Sequence, residues 1–90
     1  MARLQLDGIK TPDDFYEQFF ARVPRSVVPD YGGRNLDALN DDLRDLSEPL
    51  TVVWKDSALS REHLGDWFGR CLEVLNQVRE RPFPVSLVLQ

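Results

Sequence analysis

Five consecutive uncharged residues, Leu50 to Trp54 (LTVVW), stand directly after Pro49. Their β-branched members, Thr51, Val52 and Val53, suit a pleated strand better than a helix. A short continuous apolar run of this kind is expected for a strand that is covered on both faces or central in a sheet. Such a strand needs neighbours, and the chain supplies two. Residues 2 to 7 (ARLQLD) place Ala2, Leu4 and Leu6 on one side and Arg3, Gln5 and Asp7 on the other, the period-two pattern of a half-buried strand. The chain ends on PVSLVLQ, rich in valine and leucine.

Helical segments separate the three strands. TPDD (11 to 14) reads as a helix start. Thr11 can cap, Pro12 suits the first helical position, and Asp13 and Asp14 meet the positive end of the helix dipole. This helix runs through Phe15, Phe19 and Phe20 to about Arg22, and Pro24 stops it. Residues 24 to 34, with two prolines and two glycines, read as loop. A further helix starts near Asn35. Beyond the Leu50–Trp54 run, Ser57 or Ser60 is expected to cap one long helix with the stripe Leu64, Trp67, Phe68, Cys71, Leu72, Leu75 and Val78. Pro82 and Pro84 end it.

Strands alternating with helices imply right-handed crossovers, so the expected fold class is α/β: a small three-stranded parallel sheet, order 1-2-3, with helices mainly on one face. Ninety residues suffice for one domain, expected over 1 to 90, and exclude two. No apolar run reaches the roughly 20 residues of a membrane span, and MARLQLDGIK lacks the apolar core of a signal peptide. The chain therefore reads as soluble and cytoplasmic. Its single cysteine, Cys71, cannot form an internal disulfide and falls within a helical apolar stripe, which suits a packing role.

Charge placement says more than net charge. Asp30, Asp37, Asp41, Asp42, Asp45 and Glu48 face only Arg34 and Arg44 within residues 30 to 48, so this segment alone carries the formal net charge of -4 and the rest of the chain is neutral. Nucleic acid is a poor ligand for such a surface, whose natural partner is basic. At about 100° per residue, Leu36, Leu39, Leu43 and Leu46 fall near 0°, 300°, 340° and 280°, which defines the core stripe. Asp37, Asp41 and Asp45 fall near about 100°, 140° and 180°, on the opposite side. A charged outer face is ordinary, but aspartate is a poor helix former, and like charges four residues apart cost about 0.2 to 0.5 kcal/mol per pair. Asp41, Asp42 and Asp45 also lie toward the negative end of the dipole. A surface that breaks several local rules together points to a partner.

Other classes fit less well. An acid/base pair among Asp37, Asp41 and Asp45 would need a buried pocket to raise one pKa, yet the ridge faces away from the apolar stripe. Nucleophile motif, phosphate loop and cofactor fingerprint are all lacking, so an enzyme is not expected and neither is a cofactor. His63, the only histidine, has no Cys or second His at ligand spacing, and three carboxylates on a straight helix cannot wrap a cation. No metal is expected. An acidic adaptor for another basic protein is the alternative binding class. Trp54 and Trp67 read as core, Gly32 and Gly33 suit a turn with positive φ, and Asn35 is a good helix N-cap.

The stretch YGGRNLDALNDDL, 31 to 43, resembles the signature of the barstar family, small intracellular inhibitors of microbial ribonucleases. The order of elements, the proline before a strand ending in Trp54, and the final strand extend the resemblance over essentially the whole chain. It implies a monomer that forms a 1:1 complex with a barnase-like, guanyl-type extracellular ribonuclease. In that mechanism the loop and second helix plug the active site, and carboxylates replace the RNA phosphates. Carried onto this chain, Tyr31 would stack in the active site, Gly33 would allow close backbone approach, and Asn35 and Leu36 would contact the enzyme around the helix start. Asp37 and Asp41 would be the principal anionic anchors, with Asp41 at the phosphate position.

Three departures bear on partner choice. Asn40 stands where the family has a tryptophan before its key aspartate. The tryptophan beyond the helix is missing, with Asp45 or Leu46 in its neighbourhood, and Asp45 is placed to restore some of the lost charge. Gln77, neutral, aligns with an accessory glutamate on the last helix.

Overall fold

The computed structural model describes residues 2 to 28, 33 to 77 and 81 to 90. The elements run in the order β1 (Ala2–Leu6), α1 (Pro12–Arg22), α2 (Leu36–Leu43), β2 (Leu50–Trp54), α3 (Ser57–Leu64), α4 (Asp66–Asn76) and β3 (Val85–Leu89). All three strands are parallel and ordered β1-β2-β3, as the alternation of patterns predicts. The Leu50–Trp54 run is the central strand.

In register, Leu4 lies beside Val52 and Val52 beside Leu87, while Leu6 lies beside Trp54. This side of the sheet enters one core with Phe15, Phe19, Leu39, Leu43, Phe68, Cys71 and Leu75 from the helices. The opposite side carries Arg3, Gln5, Ser86 and Val88, all exposed. Val53 on that side is buried, with Gln5 and Val88 as its register partners. β2 is thus central, and the helices load one face of the sheet.

The start of α1 is closed in both directions: the Asp14 amide donates to Thr11 Oγ1 at 3.1 Å, and the Thr11 amide donates to Asp14 Oδ2 at 3.2 Å. This reciprocal cap satisfies two amides that a helix start leaves open. Gln18 fastens the helix to the end of β1, its Nε2 donating to the Asp7 carbonyl at 2.8 Å and its Oε1 accepting from the Asp7 amide at 2.9 Å. Arg22 adds a bond to the Gln5 carbonyl and an ion pair to Asp7, both at less than 3 Å. Its guanidinium holds the Asp7 carboxyl below the usual range.

Two expectations are corrected. The helix after β2 is two helices, α3 and α4, broken at Gly65 with φ 57° and ψ -131°. That conformation is open essentially only to glycine, so the break is written in one residue. Val78, the last position of the expected stripe, lies outside the described residues. Neither Ser57 nor Ser60 caps α3. The N-cap is Asp56 in the left-handed region, Ser57 donates to the Gln90 carbonyl, and Ser60 is buried and accepts from Trp54 Nε1 at 2.9 Å. The segment from Pro24 is loop as read, a tight turn up to Val28 with the amides of Val27 and Val28 donating to the Pro24 carbonyl and both valines buried.

One buried polar group of the core stands out among the described residues. The Tyr16 hydroxyl is buried without a hydrogen-bond partner, and burial pushes its pKa up to about 12. Burial also raises the Cys71 thiol, in keeping with the packing role read from the sequence. Because folding favours the neutral tyrosine, its contribution is complete below the ordinary pKa near about 10 and is lost as pH rises through the folded value. Tyr16→Phe is therefore expected to melt no lower than the parent at neutral pH, and up to about 1 kcal/mol more stable. It should also flatten the alkaline loss of stability between about pH 10 and 12, leaving the share owed to Cys71. Melting curves of the two proteins against pH check both.

Candidate functional site

The acidic helix is held by its ends. Asn35 is its N-cap, accepting through Oδ1 from the Ala38 amide at 2.7 Å, while the Leu39 amide donates to the Asn35 carbonyl at 3.0 Å. Beyond its C-terminus Leu46 is buried, and Ser47 ties back to the turn before the site, its amide donating to the Val27 carbonyl at 3.2 Å and its hydroxyl to the Ser26 carbonyl. The chain from Val27 to Ser47 is thereby closed at its base. Leu39 and Leu43 are fully buried beneath α2, and α4 packs beside it. A helix fixed at both ends and underneath presents a defined outer face.

That face carries the ridge. Asp37 and Asp41 stand on it one turn apart, whereas Asp45, expected to continue the row, lies in the turn beyond the helix end at Leu43; all three are exposed, with the Asp41 side chain 72% accessible and its Oδ1 3.6 Å from Arg44 Nη1. An exposed pair at that distance is worth little, so Asp41 stays available to a stronger cation. Asp42 departs from its neighbours: it is only 6% exposed, on the flank of the helix next to the core stripe, and it has interactions of its own. It belongs to the support of α2.

The remaining expected residues fall as follows. Gly33 is exposed just ahead of the cap, and a Cβ there would meet only Asn35 Nδ2, at an ordinary 3.5 Å. The expectation of positive φ fails at Gly33, since among the described glycines only Gly8 and Gly65 adopt it. Leu36 is half-buried at the helix start, packed against the core. Leu46 is core, which leaves Asp45 as the exposed residue beyond the ridge's centre. Gln77 is exposed and caps the C-terminus of α4. Asn40 is half-buried, and Tyr31, Gly32 and Asp30 lie outside the described residues.

One residue was missed. Arg81 donates through Nη2 to Asn40 Oδ1 at 3.2 Å and through Nη1 to the Leu75 carbonyl at 2.9 Å, so it bridges α2 and the end of α4. An arginine ahead of Pro82 gives no periodic or motif signal, and only the packing of α4 on α2 brings it to Asn40. Among the described residues no three His, Cys, Asp or Glu side chains gather into a set able to hold a metal ion. No helix there is long and apolar enough to cross a membrane.

The fold is thus a three-stranded parallel sheet with helices on one face, among which α2, packed beside α4, carries exposed aspartates. The family model described as "Barstar (barnase inhibitor)" matches residues 1 to 90, and the chain belongs to that family. It is also similar to the Bacillus subtilis (strain 168) protein named "Putative ribonuclease inhibitor YrdF", with 45% identity over 53 residues. That match spans 58% of this chain and 58% of the relative.

Replacing the cap tests how the face is held. Asn35→Ala removes the acceptor for the Ala38 amide and is expected to cost about 1 kcal/mol, whereas Asn35→Asp keeps an acceptor and should lie near the parent. Denaturant titration of the three proteins checks this.

Proposed function

We propose that this protein inhibits a microbial guanyl-type, barnase-like ribonuclease by seating the acidic face of α2 in the enzyme's basic active site. The observation that carries the reading is the placement of Asp37 and Asp41 one helical turn apart on the exposed side of α2, whose inner side is the core, with Asp45 exposed in the turn just beyond the helix. Membership of a family described by barnase inhibition, and the name of the relative, support it. RNA reaches such an enzyme as a row of phosphates, and carboxylates spaced one helical turn apart offer comparable charge. Asp41, central in the ridge, takes the phosphate position, with Asp37 as the second anchor and Asp45 as an outer contribution. Asn35 and Leu36 meet the enzyme at the helix start, Gly33 lets the preceding backbone approach, Tyr31 stacks, and Asn40 and Gln77 form the rim toward α4. The protein acts as one domain over residues 1 to 90, a cytoplasmic monomer that forms a 1:1 complex without cofactor or catalysis of its own.

Charge-assisted bonds from arginine to a desolvated carboxylate are among the strongest polar contacts, and removing one partner strands the other. Titration of the purified protein against a panel of microbial guanyl-type ribonucleases, read as RNA hydrolysis, should therefore show stoichiometric inhibition of at least one. Asp41→Ala should weaken that inhibition by at least about 2 kcal/mol, more than Asp45→Ala does. Neither variant should melt lower than the parent, because each removes one of several neighbouring like charges and Asp41→Ala also improves helix propensity. Asp42→Ala is unsuited as the comparison, since Asp42 is buried. Equal inhibition by the two ridge variants would sink the phosphate assignment, and inhibition of no enzyme in the panel would sink the function.

A further inference from the structure

The flank of α2 that faces α4 differs in chemistry from the ridge. Asn40 lies there, about 100° around the helix from Asp41 and one residue before it. Its Oδ1 accepts from Arg81 Nη2 at 3.2 Å. The same guanidinium donates to the carbonyls of Val74 and Leu75, in the last turn of α4. Unpaired carbonyls gather at a helix C-terminus and favour a cation, so Arg81 is placed by α4 independently of Asn40. Its Nε is buried without an acceptor. The side chain is thus kept in a partly desolvated position for what its two Nη groups hold.

This placement decides which way the amide of Asn40 points. A guanidinium carries donors only and cannot accept, so the amide must turn its oxygen to Arg81 and its Nδ2 group away. An amide without such a neighbour presents either end. Arg44 also lies close enough to Arg81 for their charges to interact. Two cations on this flank make it less negative than the ridge one residue away.

We infer that Arg81 is a positioning residue for partner specificity, fixing Asn40 as a hydrogen-bond donor so that this edge of the α2 face takes an acceptor of the partner enzyme, a carbonyl or carboxylate. The inference rests on the ribonuclease reading above and adds a selectivity to it. The ridge accepts any suitably spaced cations, whereas the Asn40 edge disfavours an enzyme that presents a lysine or arginine there.

Asn40→Asp tests it by the sign of its effect. The change preserves shape, adds negative charge and replaces the outward NH2 with an acceptor. Assays use the panel enzyme that the parent inhibits best. Inhibition should weaken by about tenfold or more, although general attraction to a basic enzyme has increased. The melting temperature should not fall, since the new carboxylate pairs with Arg81. In an Arg81→Met background, where either end of an amide can face out, the Asn40→Asp loss should shrink to about twofold or less. An Arg81 that merely supports the fold leaves that loss unchanged, and equal losses in the two backgrounds would overturn its positioning role. Tighter inhibition by Asn40→Asp, with the parent active, overturns this inference alone and does not depend on the Arg81 variant folding. A parent that inhibits no panel enzyme overturns the ribonuclease reading and this inference with it.

Discussion

Trp54 is the contact on which the other elements converge. It ends the central strand fully buried, stacks on Phe15 of α1 at a centroid distance of 5.4 Å and 26°, and meets Phe68 of α4 edge-on at 5.1 Å. Its indole N–H donates to Ser60 Oγ inside the core, which fixes α3. One side chain therefore sets the distances of three helices from the sheet. A ring of that size buries a large apolar area, and its single polar atom is satisfied, so neither term works against the other. Phe15 extends the cluster to Tyr16, Phe19 and Trp67, which carries the order from the sheet to the contact between α1 and α4.

The acidic helix depends on this core through α4. Leu39 and Leu43 close its inner side, α4 abuts its flank, and Arg81 links the two helices at Asn40. With the base of the segment closed between Val27 and Ser47, α2 can carry repelling aspartates that an isolated helix of eight residues would not tolerate. Stability is supplied from beneath, which frees the outer face of that task. The same separation explains the contrast within the pair Asp41 and Asp42: adjacent in sequence, they stand on different sides of the helix, one exposed and one buried.

Much of this was legible from the residues because the signals were local and mutually consistent. The continuous Leu50–Trp54 run marked the central strand, Thr11 and Pro12 marked the start of α1, and the 100° spacing separated Leu39 and Leu43 from Asp37 and Asp41. The failures share a different origin. Gly65 breaks a helix whose apolar stripe continues across it, because periodicity reports which side is buried and not whether the axis is unbroken. Ser60 has the composition of a cap but is drawn to the indole of Trp54, a tertiary partner that no local pattern contains. Arg81 and the burial of Asp42 likewise depend on what lies opposite them in space.

The central claim is that carboxylates of α2 occupy the site where a ribonuclease binds phosphate. Competition tests it most directly: inhibition of a susceptible guanyl-type ribonuclease is measured at rising concentrations of a guanylic mononucleotide, which fills that same site. If the carboxylates sit there, the apparent inhibition constant rises in proportion to nucleotide concentration, and Asp41→Ala loses much of that dependence. An inhibition constant indifferent to the nucleotide would place the contact elsewhere on the enzyme and contradict phosphate mimicry.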